Sequence, residues 1–113
     1  MAVGSIPAGE ALRLADLITP VDHGIASRVL AKNGGGSVTL FAFAAGEGLS
    51  EHTAPFDALV MALDGVLALT IGGDAVTATA GTIVRMPANV PHAVEASGAA
   101  RMLLIMLRES KAS

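Results

Sequence analysis

The sequence predicts an all-β protein that folds as a sandwich or a barrel. Turn signals built from glycine, proline, asparagine and aspartate recur roughly every 8–12 residues, a spacing typical of antiparallel strands joined by short turns. The segments between these turns are short and aliphatic, and no helical periodicity extends beyond residue 20. At 113 residues the chain has the length of one domain, residues 1–113.

Composition narrows the classes of partner. The net charge is −3, no cluster of lysine and arginine is present, and the aromatic content of 3% is entirely phenylalanine, so we expect no nucleic acid. Without cysteine there is neither a disulfide nor thiolate chemistry. The longest aliphatic run, Met102–Leu107, is far shorter than the roughly 20 residues of a membrane-spanning helix, so we expect no membrane partner. Residues 1–10 lack the pattern of a secretory signal, which makes the cytoplasm the expected location.

The first half of the chain predicts one short element and one hairpin. Glu10–Ile18 carries an apolar pattern that suits a strand or one helical turn, and we predict a strand, alone or with a short turn. Ile25–Lys32 and Ser37–Ala44 are predicted strands on either side of Asn33-Gly34-Gly35-Gly36. Asparagine and glycine accept positive φ at little cost, so residues 25–44 indicate a β-hairpin.

The second half predicts a series of strands that end at tight turns such as Asp64-Gly65, Gly72-Gly73 and Ala80-Gly81. Successive strands joined by such turns are expected to pair antiparallel, so that distant residues face one interior. The predicted strands are Asp57–Leu63, Val66–Ile71, Asp74–Ala78, Thr82–Met86, His92–Ala96 and Met102–Leu107.

Two of these strands, Asp57–Leu63 and Met102–Leu107, are apolar on both faces. Strands with this pattern are buried on both sides. A short chain with 52% hydrophobic residues has little surface of its own with which to cover a second face. We therefore predict a homodimer; the alternative is that the N-terminal segment of the same chain covers that face.

Two histidines, His52 and His92, stand beside turns and next to apolar runs, and we expect them to meet inside the barrel. A lone histidine of this kind is more often a partly buried side chain hydrogen-bonded to backbone. A pair that converges on one interior favours a shared functional site, in which His52 and His92 are the candidate catalytic residues. His23 lies in a turn beside Asp22 and is expected to be exposed.

The spacing of glycines, prolines and histidines around this pair resembles the two sequence motifs of the cupins. Cupins are small barrels of the double-stranded β-helix or jelly-roll type that often bind a divalent metal. The first motif corresponds to residues 46–65 and the second to residues 81–96. The matching positions are Gly46, His52, Ala54, Ala58 and Gly65 in the first motif and Gly81, Pro87, Asn89, His92 and Ala96 in the second.

The resemblance implies a metal site that has lost half of its ligands. A full cupin site has three histidines and one glutamate, whereas here Ala54 and Ala58 stand at the places of the second histidine and the glutamate. The resemblance leaves His52 and His92 as metal ligands, for weakly held Ni, Zn, Fe or Mn. Catalytic zinc sites usually have three protein ligands, and the non-heme iron triad includes a carboxylate, so water, substrate or another side chain would complete this site. We predict no organic cofactor.

The nearest substitute ligand is Asp57. Strict alternation points it away from the face of Ala58, although a bulge induced by Pro55 would reverse this; the alternative is that Asp57 caps a turn or faces solvent. Glu51 is expected to be a solvated charge at the rim. Ala54, Ala58, Val60 and Met86 are expected to line the pocket.

Three functions remain open at this point, and the sequence does not decide whether the protein is an enzyme. The first is a site for a small organic molecule beside a divalent metal on His52 and His92. The second is metal-free proton transfer of the sugar isomerase or epimerase type, for which Arg85 is the one candidate anchor of an anionic substrate. The third is a non-catalytic barrel that senses or stores a small ligand, which the row Ala54, Ala58 and Val60 favours because small side chains enlarge an apolar cavity.

Overall fold

The computed structural model describes residues 5–108 and confirms an all-β fold. One 3₁₀ helix, η1 (Leu14–Asp16), precedes nine strands, and among the described residues no helix is long and apolar enough to cross a membrane. The strands are β1 (Ile25–Asn33), β2 (Gly36–Phe43), β3 (Gly48–His52), β4 (Asp57–Asp64), β5 (Val66–Ile71), β6 (Asp74–Thr79), β7 (Ile83–Met86), β8 (His92–Ala96) and β9 (Ala100–Leu107).

The strands form two antiparallel sheets that face each other across a shared core. One sheet has the order β1-β2-β9-β4-β7 and the other has the order β3-β8-β5-β6. Side chains that alternate along the strands fill the space between the sheets. The largest fully buried members of this core are Val60 on β4, Leu67 and Leu69 on β5, and Met102 on β9.

The turn at Asp64-Gly65 corrects one expectation. The tight turns were expected to join strands that pair with each other, which holds for β1 with β2 and for β5 with β6. Strand β4, however, pairs with β9 and β7, whereas β5 pairs with β6 and β8. The turn therefore carries the chain from one sheet to the other, and a register shift between Ala62 and Asp64 accompanies the change. The turn at Ala80-Gly81 also crosses between the sheets, because β6 pairs with β5 whereas β7 pairs with β4.

The segment Glu10–Ile18 is not a strand, so that prediction is wrong. It holds only the short helix η1, and it lies against the outer face of the five-stranded sheet, where Ile18 packs with Leu30 and Leu40. The N-terminal part of the chain is attached to the sheet by isolated hydrogen bonds and not by a regular β-ladder. The amide of Ile6 donates to the carbonyl oxygen of Leu30 (2.9 Å), and the Arg28 guanidinium donates to that of Leu17 (3.1 Å).

Strand β3 was missed because Gly46 and Gly48 look like interruptions in the sequence. In the structure Gly48 lies so close to β8 that a Cβ on it would collide with the carbonyl oxygen of Val94. Glycine at this position is thus a requirement of close strand pairing and does not mark the end of a strand.

Replacing a turn glycine can cost stability through backbone strain or through a steric collision, and Gly65 and Gly73 allow the two effects to be compared. Both have positive φ, +75° and +87°, but a Cβ on Gly65 would collide with the carbonyl of Ala99, whereas a Cβ on Gly73 would meet nothing within 4 Å. We expect Gly73→Ala to lower the free energy of unfolding by about 1–2 kcal/mol through the backbone conformation alone. Gly65→Ala should exceed that loss by at least about 1 kcal/mol, because the turn between the sheets must also shift. Urea-induced unfolding measures both, and equal losses would show that the crossing turn has room for a side chain.

Candidate functional site

His52 and His92 lie opposite each other on the neighbouring strands β3 and β8. Their Nε2 atoms are 3.2 Å apart, and the ring centroids are 4.4 Å apart with 70° between the ring planes. Forty residues of chain separate the two histidines, so the strand pairing alone brings them together. The two rings therefore meet, as expected from the sequence, but only His92 is buried inside the barrel, because His52 is exposed.

A β-bulge aims His52 at this point. Leu49 pairs with Val94 and His52 pairs with His92, so three residue steps on β3 match two on β8, and the register shifts between Leu49 and His52. In a regular strand Leu49 and His52 would project from opposite faces. The extra residue in the bulge turns His52 to the same side as Leu49, and both line one cavity.

Backbone hydrogen bonds fix how each imidazole presents its nitrogens. Nδ1 of His52 lies 2.8 Å from the carbonyl oxygen of Ser50, and Nδ1 of His92 lies 3.1 Å from that of Val90. A carbonyl oxygen only accepts, so each Nδ1 carries a hydrogen and donates it. In the neutral imidazoles both Nε2 atoms then carry free lone pairs and lie within 3.2 Å of each other. This arrangement suits an electrophile between them, which is either a single proton or a metal ion.

The two histidines stand at one end of an apolar cavity of about 240 Å³ between the sheets. His92 is 4% exposed, whereas His52 is exposed, so the pair extends from solvent into the interior. No charged side chain lines the cavity in the described part of the chain. The other lining residues are Leu49, Ala54, Phe56, Ala58, Met86, Val94, Met102, Leu104 and Met106.

Three of the four side chains expected in the pocket line it, namely Ala54, Ala58 and Met86. Val60 does not; it is fully buried between the sheets, one pleat deeper along β4 than Ala58. Phe56 and the inward face of β9 were not predicted from the sequence; β9 contributes three side chains to the wall. Met102, Leu104 and Met106 alternate along β9, as side chains on one face of a strand do. The residues between them are also apolar, so the sequence does not show which face points inward.

Two loops that flank the histidines are tied to each other and to β4. The amide of Asn89, in the loop before His92, donates to the carbonyl oxygen of Ala54, in the loop after His52 (2.7 Å). The amide of Ala88 donates to Oδ1 of Asp57 (2.8 Å), and Arg85 donates to Oδ2 of the same carboxylate (2.9 Å). Asp57 therefore holds the loop before His92 against the start of β4.

Asp57 does not reach the histidines. Both of its oxygens are occupied by Ala88 and Arg85, and it does not line the cavity, so Asp57 braces a loop and is no substitute ligand. Arg85 is turned toward Asp57 and likewise does not line the cavity. Glu51 is exposed. Within residues 5–108 no group of three histidine, cysteine, aspartate or glutamate side chains could together hold a metal ion.

Comparison with known proteins assigns the family. The family model described as the cupin domain matches residues 39–107, a span that includes both histidines and the whole of both motifs. This match covers more than half of the chain. The protein belongs to the cupin domain family.

Solved structures agree with this assignment. A conserved protein of unknown function from Streptococcus pyogenes is 28% identical with a TM-score of 0.88, covering 94% of this chain and 93% of that one. A cupin superfamily protein from Desulfitobacterium hafniense is 28% identical with a TM-score of 0.86, covering 96% and 100%. A cupin 2 conserved barrel domain protein from Leptotrichia buccalis is 35% identical with a TM-score of 0.82, over 86% of this chain and 47% of that one. Comparison with curated proteins gives no match.

The brace at Asp57 predicts a pH-dependent stability. The hydrogen bond from the Ala88 amide, followed by that from Arg85, holds the pKa of Asp57 below its ordinary value of 3.8. A carboxylate with a lowered pKa in the folded state stabilises the fold above its ordinary pKa, and that contribution is lost as the pH falls through the folded value. We expect Asp57→Asn to be less stable than wild type at neutral pH, with the difference shrinking as the pH drops below 3.8.

Thermal unfolding across this pH range measures the effect. Asp64→Asn is the matched control, because Asp64 also accepts from an arginine, Arg101 at 3.0 Å, but receives no backbone amide from residues 5–108. The control should lose less stability at neutral pH than Asp57→Asn. A difference between wild type and Asp57→Asn that stays constant from neutral pH to well below 3.8 would contradict the role of the carboxylate.

Proposed function

We propose that His52 and His92 hold a divalent transition metal ion at the end of the apolar cavity, where the ion contacts a small organic molecule. The observation that carries this proposal is the pair of Nε2 atoms, 3.2 Å apart, with both Nδ1 atoms committed to backbone carbonyls. Such second contacts orient metal-binding histidines in general and select the nitrogen that faces the ion.

The separation of the two nitrogens fits a single ion. Two imidazole nitrogens at 2.0–2.1 Å from a tetrahedral metal lie about 3.3 Å apart, close to the 3.2 Å observed between the Nε2 atoms. Both donors are imidazoles, which suit Ni, Zn and Fe, whereas Mn prefers oxygen donors. With two protein ligands the ion would be held weakly and would keep positions open for water or substrate.

The chain's own residues give this site its selectivity. A bound ion would supply Lewis acidity toward an oxygen of the organic molecule. His92 is held almost without exposure to solvent and orients its Nε2 through the carbonyl oxygen of Val90. The apolar wall excludes water from the body of the molecule, so that its polar end is the part directed at the histidines.

Non-catalytic capture of a small ligand is the second candidate, and the composition of the wall favours it. Apart from the two histidines every residue that lines the cavity is apolar, so few groups are in place to transfer protons to a substrate. The isomerase or epimerase alternative loses its one anchor for an anionic sugar, because Arg85 is paired with Asp57 outside the cavity.

Metal binding is tested with zinc or nickel added to chelator-treated protein, followed by isothermal titration calorimetry. We expect about one equivalent to bind, and His52→Ala and His92→Ala each to weaken binding at least about tenfold, since each removes one of two protein ligands. His23→Ala is the matched control, because His23 is exposed in a turn away from the cavity, and its affinity should equal that of wild type.

Binding of less than about a tenth of an equivalent by the wild-type protein would end the metal proposal. Binding that survives in His92→Ala would show that the ion sits elsewhere on the surface.

We also propose that the protein forms a homodimer through the outer face of the five-stranded sheet. Leu59 pairs with Ile105, and Met61 lies between Leu103 and Ile83, so adjacent apolar side chains extend across three strands. The N-terminal segment covers only the neighbouring area around Leu40 and Leu103. A second copy of the same face is a suitable cover, because a two-fold interface places one patch against itself.

Ile83 and Val66 provide the test of this interface. Ile83 is 56% exposed on the proposed interface, and Val66 is 46% exposed on the other sheet, so a lysine at either position leaves the core intact. We expect Ile83→Lys to convert a dimer into a monomer, since the interface would bury a charge without a partner, and Val66→Lys to remain dimeric. Size-exclusion chromatography with light scattering measures the mass, and a monomeric wild-type protein would contradict the proposal.

A further inference from the structure

The wall of the cavity indicates which class of molecule it accepts. We infer that it binds a neutral, largely apolar molecule about the size of a substituted benzene ring, which directs one hydroxyl oxygen at His52 and His92. This inference rests on the proposed function, because it assigns a ligand to the same site. It specifies the organic molecule, whose binding does not require the metal ion.

The polarity of the wall is the first argument. The two imidazoles are the only polar side chains that line the cavity within the described residues, and they lie together at one end. Phosphates and sugar acids are bound by arginine, lysine or clusters of backbone amides. Neither guanidinium near this cavity lines it, since Arg85 is paired with Asp57 and Arg108 lies over the ring of Phe56. A polyhydroxylated or anionic molecule would therefore leave most of its polar groups buried without partners, which is costly.

The size and shape of the cavity are the second argument. Its volume is about 240 Å³, whereas an apolar cavity of about 150 Å³ engineered in another protein is filled by benzene. The present cavity therefore has room for an aromatic ring and a few further atoms. Phe56 lies on one side of this space, and the guanidinium of Arg108 lies over its ring, 5.4 Å from the centroid.

The third argument is the chemistry of the wall and of the polar end. Three methionines, Met86, Met102 and Met106, form much of the wall. Thioethers are flexible and polarisable and make favourable contacts with aromatic rings. The Nε2 lone pairs left free by the Nδ1 hydrogen bonds are acceptors, so a hydroxyl of the ligand would donate to one of them.

The methionine methyl groups provide a direct readout with phenol as the probe. In metal-free protein labelled with ¹³C at the methionine methyl positions, phenol should shift the signals of Met86, Met102 and Met106. Met61 serves as an internal control, because its side chain lies on the outer face of the sheet and does not line the cavity. Toluene should bind about fivefold more weakly than phenol, as expected for the loss of one hydrogen bond. D-Glucuronate and D-glucose should leave all four signals unchanged at the same concentration.

A paired substitution separates filling of the cavity from general damage. Ala58 is buried and lines the cavity, whereas Ala75 is exposed on β6. We expect Ala58→Leu to weaken phenol binding at least about tenfold, since the added side chain fills the space that the ring would occupy. The far-UV circular dichroism spectrum of this variant should match that of wild type, which shows that it is folded. Ala75→Leu should retain both this spectrum and the phenol binding of wild type.

The outcomes distinguish the two proposals. If phenol shifts the three inner methionines but wild-type protein binds no zinc, the metal proposal fails and the ligand class stands. If zinc binds but phenol shifts no inner methionine, or D-glucuronate shifts them, the ligand class is overturned and the metal proposal stands. Shifts of Met61 as large as those of the inner methionines would show non-specific binding and would also overturn the inference.

Discussion

The bulge in β3 is the constraint on which the functional end of this protein depends. Without the extra residue between Leu49 and His52, the imidazole of His52 would project from the outer face of the four-stranded sheet, and His92 would face the cavity alone. The same bulge places the carbonyl oxygen of Ser50 where it accepts from Nδ1 of His52. One irregularity of the backbone therefore aims the ring and also selects the nitrogen that it presents.

The remaining parts of the site reinforce this geometry through backbone contacts. His92 repeats the local pattern of His52, since each ring donates to the carbonyl two residues before it. The loops on either side are joined by the bond from Asn89 to Ala54, and Asp57 ties the second loop to β4. Asn89 adopts a positive φ of 63°, a conformation that asparagine tolerates better than most residues and that these contacts maintain. The positions of both rings thus depend on hydrogen bonds to backbone carbonyls and on the loop contacts made by Asn89 and Asp57.

The sequence predicted the fold well, because its turns and apolar segments are local signals. The hairpin of β1 and β2 follows directly from Asn33 and the glycines after it, and the spacing of His52 and His92 resembles that of a known family. Strand β3, its bulge and the crossing at Gly65 were not predictable in the same way. Each is a property of pairing, since Gly48 and Gly65 are required by the approach of Val94 and Ala99, which lie far away in the sequence. Asp57 shows the same limit, because its partners become visible only once Arg85 and Ala88 are placed beside it.

Ala54 and Ala58 connect the metal proposal with the ligand class. Both positions line the cavity, and in each a small apolar side chain stands where the family motif has a metal ligand. With alanine at both positions the interior lacks a carboxylate and an imidazole, so a metal ion would be bound more weakly. The space that those two side chains would fill is left for an apolar ligand. If the guest's oxygen contacts the ion, each would raise the affinity for the other by the same factor, because coupling between two bound species is reciprocal. A site with two protein ligands would then bind its metal ion most tightly when the organic molecule is present. The oxygen of that molecule would take one of the coordination positions that the chain leaves open.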